Sequence, residues 1–223
     1  RSTSYSPINP ITTSSYYFAF FVGLLIPGGI IFLRNALNDK IEDKLTLEKL
    51  TKAPILGFVG VSHFKSDLIV LENPKSHIAE GFRAIRTQMQ YMNHAKTGNI
   101  IMVTSSVSSE GKSFCSLNLA SIIAISGKKT LLMSCDLRKP KSPADFKLTL
   151  ELGLTNYLIG ALSENEIIQK SGIENLDIVL SGPKPPNPTE LLISPRMEEF
   201  FEKVRPRYDY IILDTPPRSE EHT

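Results

Sequence analysis

A chain of 223 residues has room for one domain of ordinary size, or one domain with an appendage, and its 41% hydrophobic and 22% charged residues exclude a disordered chain. Lys and Arg number 25 against 23 Asp and Glu, a net +2 that excludes a nucleic-acid binder working by bulk charge. Two cysteines, Cys115 and Cys135, exclude a disulfide-stapled scaffold and have no metal-ligand spacing.

From Ser2 to Leu33 there is no charged residue. The eighteen residues Tyr16 to Leu33 would form a helix about 27 Å long, close to a hydrocarbon core of about 30 Å. Tyr16 and Tyr17 stand where an interfacial aromatic belt would, and Pro27, Gly28 and Gly29 are residues that membrane helices tolerate. A buried core helix and an interfacial helix compete with this reading. A secretory signal peptide fits less well, because its positive charge precedes the apolar run. Here Arg34, Lys40, Lys44, Lys49 and Lys52 follow it and only Arg1 precedes it. The expected order is a non-cytoplasmic segment at 1–15, a transmembrane helix at 16–33, and a cytoplasmic remainder with reduced thiols. The absence of an initiator Met leads us to expect a preceding N-terminal part.

Residues 34–75 read as a juxtamembrane linker. Leu37, Ile41 and Leu45 mark a helix within Asn35–Thr51, which Pro54 ends, and PILGFVGV then reads as a strand or an extended tether. A second helix spans about Ser76 to Met92, with Ile78, Phe82, Ile85, Met89 and Met92 on one face. Glu80, Arg83 and Arg86 lie near the opposite face. By spacing alone they read as a solvated face with one local ion pair, worth a few tenths of a kcal/mol.

NIIMVT at 99–104 is a strand-type run, followed by SSVSSEGKS and an apolar helix closed by Gly127. Strand, Gly-Lys-Ser loop and helix in succession are the context of a P-loop. Backbone N–H groups around Glu110 to Ser113 can point at a polyphosphate, Lys112 supplies a mobile charge, and Ser113 offers a hydroxyl to Mg²⁺. Ser106 occupies the position of the motif's first glycine. Two further strand ends deliver carboxylates: TLLMSCDLRKP carries Asp136, and YDYIILDTPP carries Asp214 in the Walker-B manner. Carboxyl ends of strands meet at one edge of an open α/β sheet, so Lys112, Ser113, Asp136 and Asp214 are expected to converge there. Each Asp alone could equally be a turn or cap residue. SGPKPPNPTELL, 181–192, is assigned to a loop beside the site, with Asn187 or Thr189 capping a helix from about 189 to 204. Strands are expected near 100–104, 130–134, 176–180 and 209–213. The fold class is α/β: a P-loop NTPase-type, mostly parallel sheet with flanking helices, preceded by one transmembrane helix.

These motifs together resemble the bacterial tyrosine kinases fused to polysaccharide chain-length determinants, the Wzc-type co-polymerases of capsule and exopolysaccharide export. The resemblance runs from about Pro10 to Pro217 and rests on EGFRAIR at 80–86, SSVSSEGKSFCSLNLA at 105–120, DLRKP at 136–140, PPNPTELL at 185–192 and YDYIILDTPP at 208–217. It implies ATP-dependent autophosphorylation of a C-terminal tyrosine cluster at the bacterial inner membrane, with export machinery as partner and no nucleic acid. Residues 76–217 would be the kinase core, with Ser108 to Phe114 binding nucleotide and Lys112, Asp136 and Asp214 catalytic. Ser113, Asp136 and Asp214 would hold Mg²⁺, with Asp136 alternatively activating the attacking tyrosine. Glu80, Arg83 and Arg86 would lie in the subunit interface of a ring, which replaces the solvated-face reading.

The chain departs from the family in four respects. Ser108-Ser109 stands where the family usually has Pro-Gly; if that Gly has a positive φ, Ser109 costs about 1–2 kcal/mol. Ser134 replaces the first carboxylate of an Asp-x-Asp. The periplasmic part is absent, and the family continues beyond the Walker-B strand, so a sheet edge is expected to lie open. RSEEHT, 218–223, is what the sequencing-adapter bases AGATCGGAAGAGCACACG encode and reads as a non-native scar. An alternative function is a weakly nucleotide-binding co-polymerase scaffold acting through oligomerisation. A deviant Walker-A partitioning ATPase would need Lys at the position of Val107, and no guanine-reading motif is present. Cys115 reads as packing and Cys135, next to Asp136, as a bland residue with redox sensitivity as its lesser alternative; His63, His77 and His94 lack metal or triad spacing. Tyr91, Tyr157, Tyr208 and Tyr210 form no tail cluster, so no phosphorylation site is expected among them.

Overall fold

The computed structural model describes residues 12–37, 47–48, 51–92, 98–138, 146 and 148–218. It divides into two units, Arg1–Ile55 and Leu56–Thr223. In the first, helix α1 spans Thr12–Ala36, several residues longer at each end than the expected span: Thr12 to Ser15 extend it at one end and Arg34 to Ala36 at the other. Pro27 lies inside it. Ser15–Arg34 is long and apolar enough to cross a membrane, and none of it is buried within the protein. The helix expected over Asn35–Thr51 lies largely outside the described residues.

The second unit begins with an irregular tether rather than a strand. Helix α2 (Ile69–Glu72) and helix α3 (His77–Met92) follow. Ser76 opens α3, its hydroxyl accepting the Ala79 amide at 3.2 Å. Ile78 and Phe82 are buried, as the helical spacing requires. Among the described residues five strands form the sheet: β1 (Asn99–Val103), β2 (Thr130–Ser134), β3 (Gln169–Lys170), β4 (Leu176–Val179) and β5 (Tyr210–Asp214). Their order is β1-β5-β2-β4-β3, parallel except for the short antiparallel β3, which the sequence pattern did not reveal. Helix α4 (Lys112–Ile125) connects β1 to β2 over the position filled by β5.

Apolar clusters fill both faces of the sheet. One joins α2, α3 and α4 to Leu132, Ile178 and Ile212. The other joins α5 (Leu154–Leu158), α6 (Glu164–Ile167) and α8 (Pro195–Val204) to Leu131, Met133 and Ile211. The single helix expected over 189–204 is two: α7 (Pro188–Leu192), then α8. Pro195 lacks an N–H and Ser194 is extended, with ψ 154°, so the first helix cannot continue through them. Asn187 occupies the cap position of α7 but makes no capping bond; its amide donates to the Glu190 carboxylate at 2.8 Å. Among the described residues β1 is an open sheet edge, with Met102 64% exposed.

The tether lies along α3. A Cβ on Gly81 would stand 2.5 Å from the Phe58 carbonyl oxygen, so only glycine permits this approach. In a bare helix Gly81→Ala would stabilise by up to about 1 kcal/mol. Here we expect the opposite sign, a loss of about 1–3 kcal/mol in urea unfolding with faster amide exchange at 57–61.

Candidate active site

The loop after β1 delivers the expected constellation to the carboxyl edge of the sheet. Gly111 is the α4 cap residue, with φ +87°, a conformation that excludes most side chains. The amides of Lys112 and Ser113 thus open the first turn, where they have no intrahelical acceptor. Ser109 has φ +66°. The family's glycine position therefore is a left-handed one, and Ser109→Gly should raise stability by about 0.5–1 kcal/mol in urea titration, after the entropy cost of glycine.

Lys112 Nζ donates to Ser105 Oγ at 2.9 Å, and Ser105 Oγ donates to the Val107 carbonyl at 2.6 Å. Glu110 turns back, its carboxylate accepting the amides of Ser106 and Val107 at 3.0 and 3.3 Å. It braces the loop from within, and its side chain leaves the amides of the helix opening untouched. Ser108 and Val107 are exposed. The ring of Phe114 packs on Phe82 at 6.0 Å, so only its backbone can face a phosphate.

Asp214 ends β5 and sits beside Ser134 on β2 and Val103 on β1 in register. Burial raises its pKa; hydrogen bonding from Ser113 and the charge of Lys112 oppose this, and the nearby Asp136 carboxylate adds to it. Ser116 donates to Asp214 Oδ1 at 3.5 Å. Asp136 Oδ1 accepts the Arg138 amide at 3.2 Å, and the Arg138 guanidinium donates to Thr189 Oγ1 at 3.4 Å, which brings the 181–192 loop to the site. Lys112, Ser113 and Asp136 thus each act on Asp214. Among the described residues no three His, Cys, Asp or Glu side chains cluster as a metal cage. A hydroxyl and one or two carboxylates beside a polyphosphate suit Mg²⁺, which keeps waters and phosphate oxygens as ligands. A cavity of about 200 Å³ is lined by Ser113, Ser116, Ser134 and Asp214 together with Leu117, Leu132 and Ile178.

Ser105, Ser116 and Arg138 went unpredicted. Ser116, one helical turn after Ser113, was the one with a readable signal. Cys135 is buried, and burial with the Asp214 charge pushes its thiol up to about 12, which makes it inert and removes the redox-sensitive alternative. Cys115 is half-buried packing, as expected. In α3, Arg83 pairs with Glu80 and donates to the Pro74 carbonyl at 2.7 Å. Arg86 is turned inward, towards the Ile122 carbonyl of α4 at 3.5 Å, with its Nε buried. Tyr157, Tyr208 and Tyr210 are buried and Tyr91 is exposed. Of the expected scar, only Arg218 is described, its amide donating to the Ser105 carbonyl at 3.0 Å.

A family model described as AAA domain matches residues 98–222. The putative tyrosine-protein kinase CapB of Staphylococcus aureus is 38% identical over 152 residues, 68% of this chain and 67% of that protein. Tyrosine-protein kinase etk of Escherichia coli strain K12 is 30% identical over 236 aligned residues, 96% of this chain but 32% of that protein. This chain therefore spans about a third of the longer relative. The solved kinase domain of Escherichia coli tyrosine kinase ETK superposes with a TM-score of 0.74 at 32% identity, covering 80% of this chain and 74% of that one. Sequence and fold agree: the chain belongs to the bacterial tyrosine-protein kinases.

Proposed function

We infer that the chain is the nucleotide-binding part of an ATP-dependent protein-tyrosine autokinase that regulates chain length in capsule or exopolysaccharide export. The observation that carries this is the interaction of Lys112, Ser113 and Asp136 with Asp214 at the carboxyl edge of the sheet. Lys112 leaves Ser105 to reach the β/γ-phosphate oxygens, and the amides from Ser109 to Phe114 cradle the polyphosphate. Ser113, Asp214 and Asp136 would hold Mg²⁺, which would supply charge neutralisation for the transferred phosphoryl group. The phosphorus–oxygen bond to ADP breaks as the bond to the tyrosine oxygen forms, and the phenolic proton passes to Asp136 or to water. Ser134 in place of a second Asp leaves one carboxylate fewer next to Asp214.

In the same reading α1 anchors the protein in the inner membrane, with Arg34 and the lysines after it on the cytoplasmic side. Exposed Glu80 and half-exposed Arg83 form the ring interface. Arg86 supports that interface from inside, through α4. The scaffold alternative has no observation in its favour. The test is transfer of label from γ-labelled ATP, with Mg²⁺, to a peptide carrying a tyrosine cluster. Phosphotyrosine that disappears in Lys112→Met is expected; no transfer to any tyrosine would leave the scaffold.

A further inference from the structure

The edge of the sheet opposite the nucleotide loop carries exposed cations that this chemistry does not use. Lys128 and Lys129 precede β2, Arg205 and Arg207 precede β5, and Lys170 ends β3 beside the start of β4; all five are exposed. They share one surface. Lys129, Lys170 and Arg207 line a groove of about 560 Å³, and Arg205 lies against Gly98 at the start of β1. The nearby carboxylates are largely engaged. Asp209 accepts the Lys129 amide at 2.9 Å, and Asp177 accepts the Tyr208 hydroxyl at 2.8 Å and pairs with Lys170. Glu174 is the exposed acid among them.

The tether joins the core at this same edge. Leu56 lies beside Met92, Asn99 and Ile100, at the end of α3 and the start of β1. From there the chain climbs α3, passing Ile85 at Gly57 and Gly81 at Phe58. The chain enters the core at this edge, and the twenty residue steps from Ala36 to Leu56 reach at most about 70 Å.

We propose that the amino edge of the sheet, through Lys128, Lys129, Arg205 and Arg207, docks on anionic lipid headgroups and leaves the nucleotide loop facing away from the membrane. The proposal rests on the reading of α1 as an anchor. That attachment favours a lipid surface over a nucleic acid as the polyanion. Cations near an anionic leaflet are attracted to it, and salt screens the attraction.

The full chain is mixed with vesicles of phosphatidylcholine, alone or with about one-third phosphatidylglycerol, and its lysines are acylated and read by mass spectrometry. With phosphatidylglycerol, labelling of Lys128 and Lys129 should fall about fivefold. Exposed Lys184, in the loop at the carboxyl edge, should be unchanged. High salt and the double variant Arg205→Glu, Arg207→Glu should restore labelling. Equal labelling in both vesicles overturns the proposal, as does protection by an RNA oligonucleotide but not by phosphatidylglycerol. Carbonate washing tests the anchor separately. A chain that is retained but unprotected keeps the anchor and loses the docking surface; one washed away but protected by phosphatidylglycerol does the reverse.

Discussion

Lys112→Met is expected to remove most of the stabilisation that MgATP gives the chain. A ligand at about 100 times its Kd stabilises the folded state by ~2.7 kcal/mol, which for a domain of this size raises Tm by about 5–10 °C. Lys112 is the one side chain of the loop that supplies positive charge to the phosphates, and charge-assisted contacts of this kind are the strong ones. Affinity should fall about 100-fold, which leaves ~0.4 kcal/mol of stabilisation at the same ligand concentration. Without nucleotide the variant should unfold within about 2 kcal/mol of the parent, because Lys112 is half-buried and gives up, among the described residues, a hydrogen bond to the Ser105 hydroxyl and its attraction to Asp214. Thermal melts with and without MgATP measure both quantities. A variant that keeps most of the shift would remove Lys112 from the phosphate site.

Asp214→Asn should act in opposite directions on stability and on ligand response. Burial and the neighbouring Asp136 hold the Asp214 pKa above the usual aspartate range, against the pull of Ser113 and Lys112. The folded chain therefore binds this proton more tightly than the unfolded chain does. Stability falls as pH rises from the unfolded pKa through the raised folded pKa, and the full cost remains above it. In magnesium-free buffer at neutral pH the neutral asparagine avoids that cost, so the variant should melt higher than the parent, and the two should converge towards strongly acid pH. With MgATP the order should reverse, because the amide cannot hold Mg²⁺ as a carboxylate does. Paired melts over a pH series read the crossing. A variant less stable at neutral pH without magnesium would show that Asp214 is a structural anion with satisfied partners.

Much of this site is contiguous in the chain, which is why it could be read there. Strand β1, the Gly-Lys-Ser loop and α4 are consecutive, and the positive φ at Ser109 was foreshadowed by the family's glycine. The break at Pro195 was readable too, since a proline within an expected helix marks its boundary. The two-residue β3 was not, because two residues have no period.

By itself the sequence determined the apolar helix, the four parallel strands and the residue types needed at a phosphate site. Each of these is set by local composition or periodicity over a few residues. Only the tertiary structure decided that β5 lies between β1 and β2, which puts Asp214 beside Ser134 from eighty residues away in the chain. It also decided that Arg86 faces α4, that Cys135 is sealed from solvent, and that the tether meets the core at its basic edge. The reason is physical: burial, electrostatic shift and strand adjacency arise from contacts between segments distant in sequence, and no local pattern encodes them.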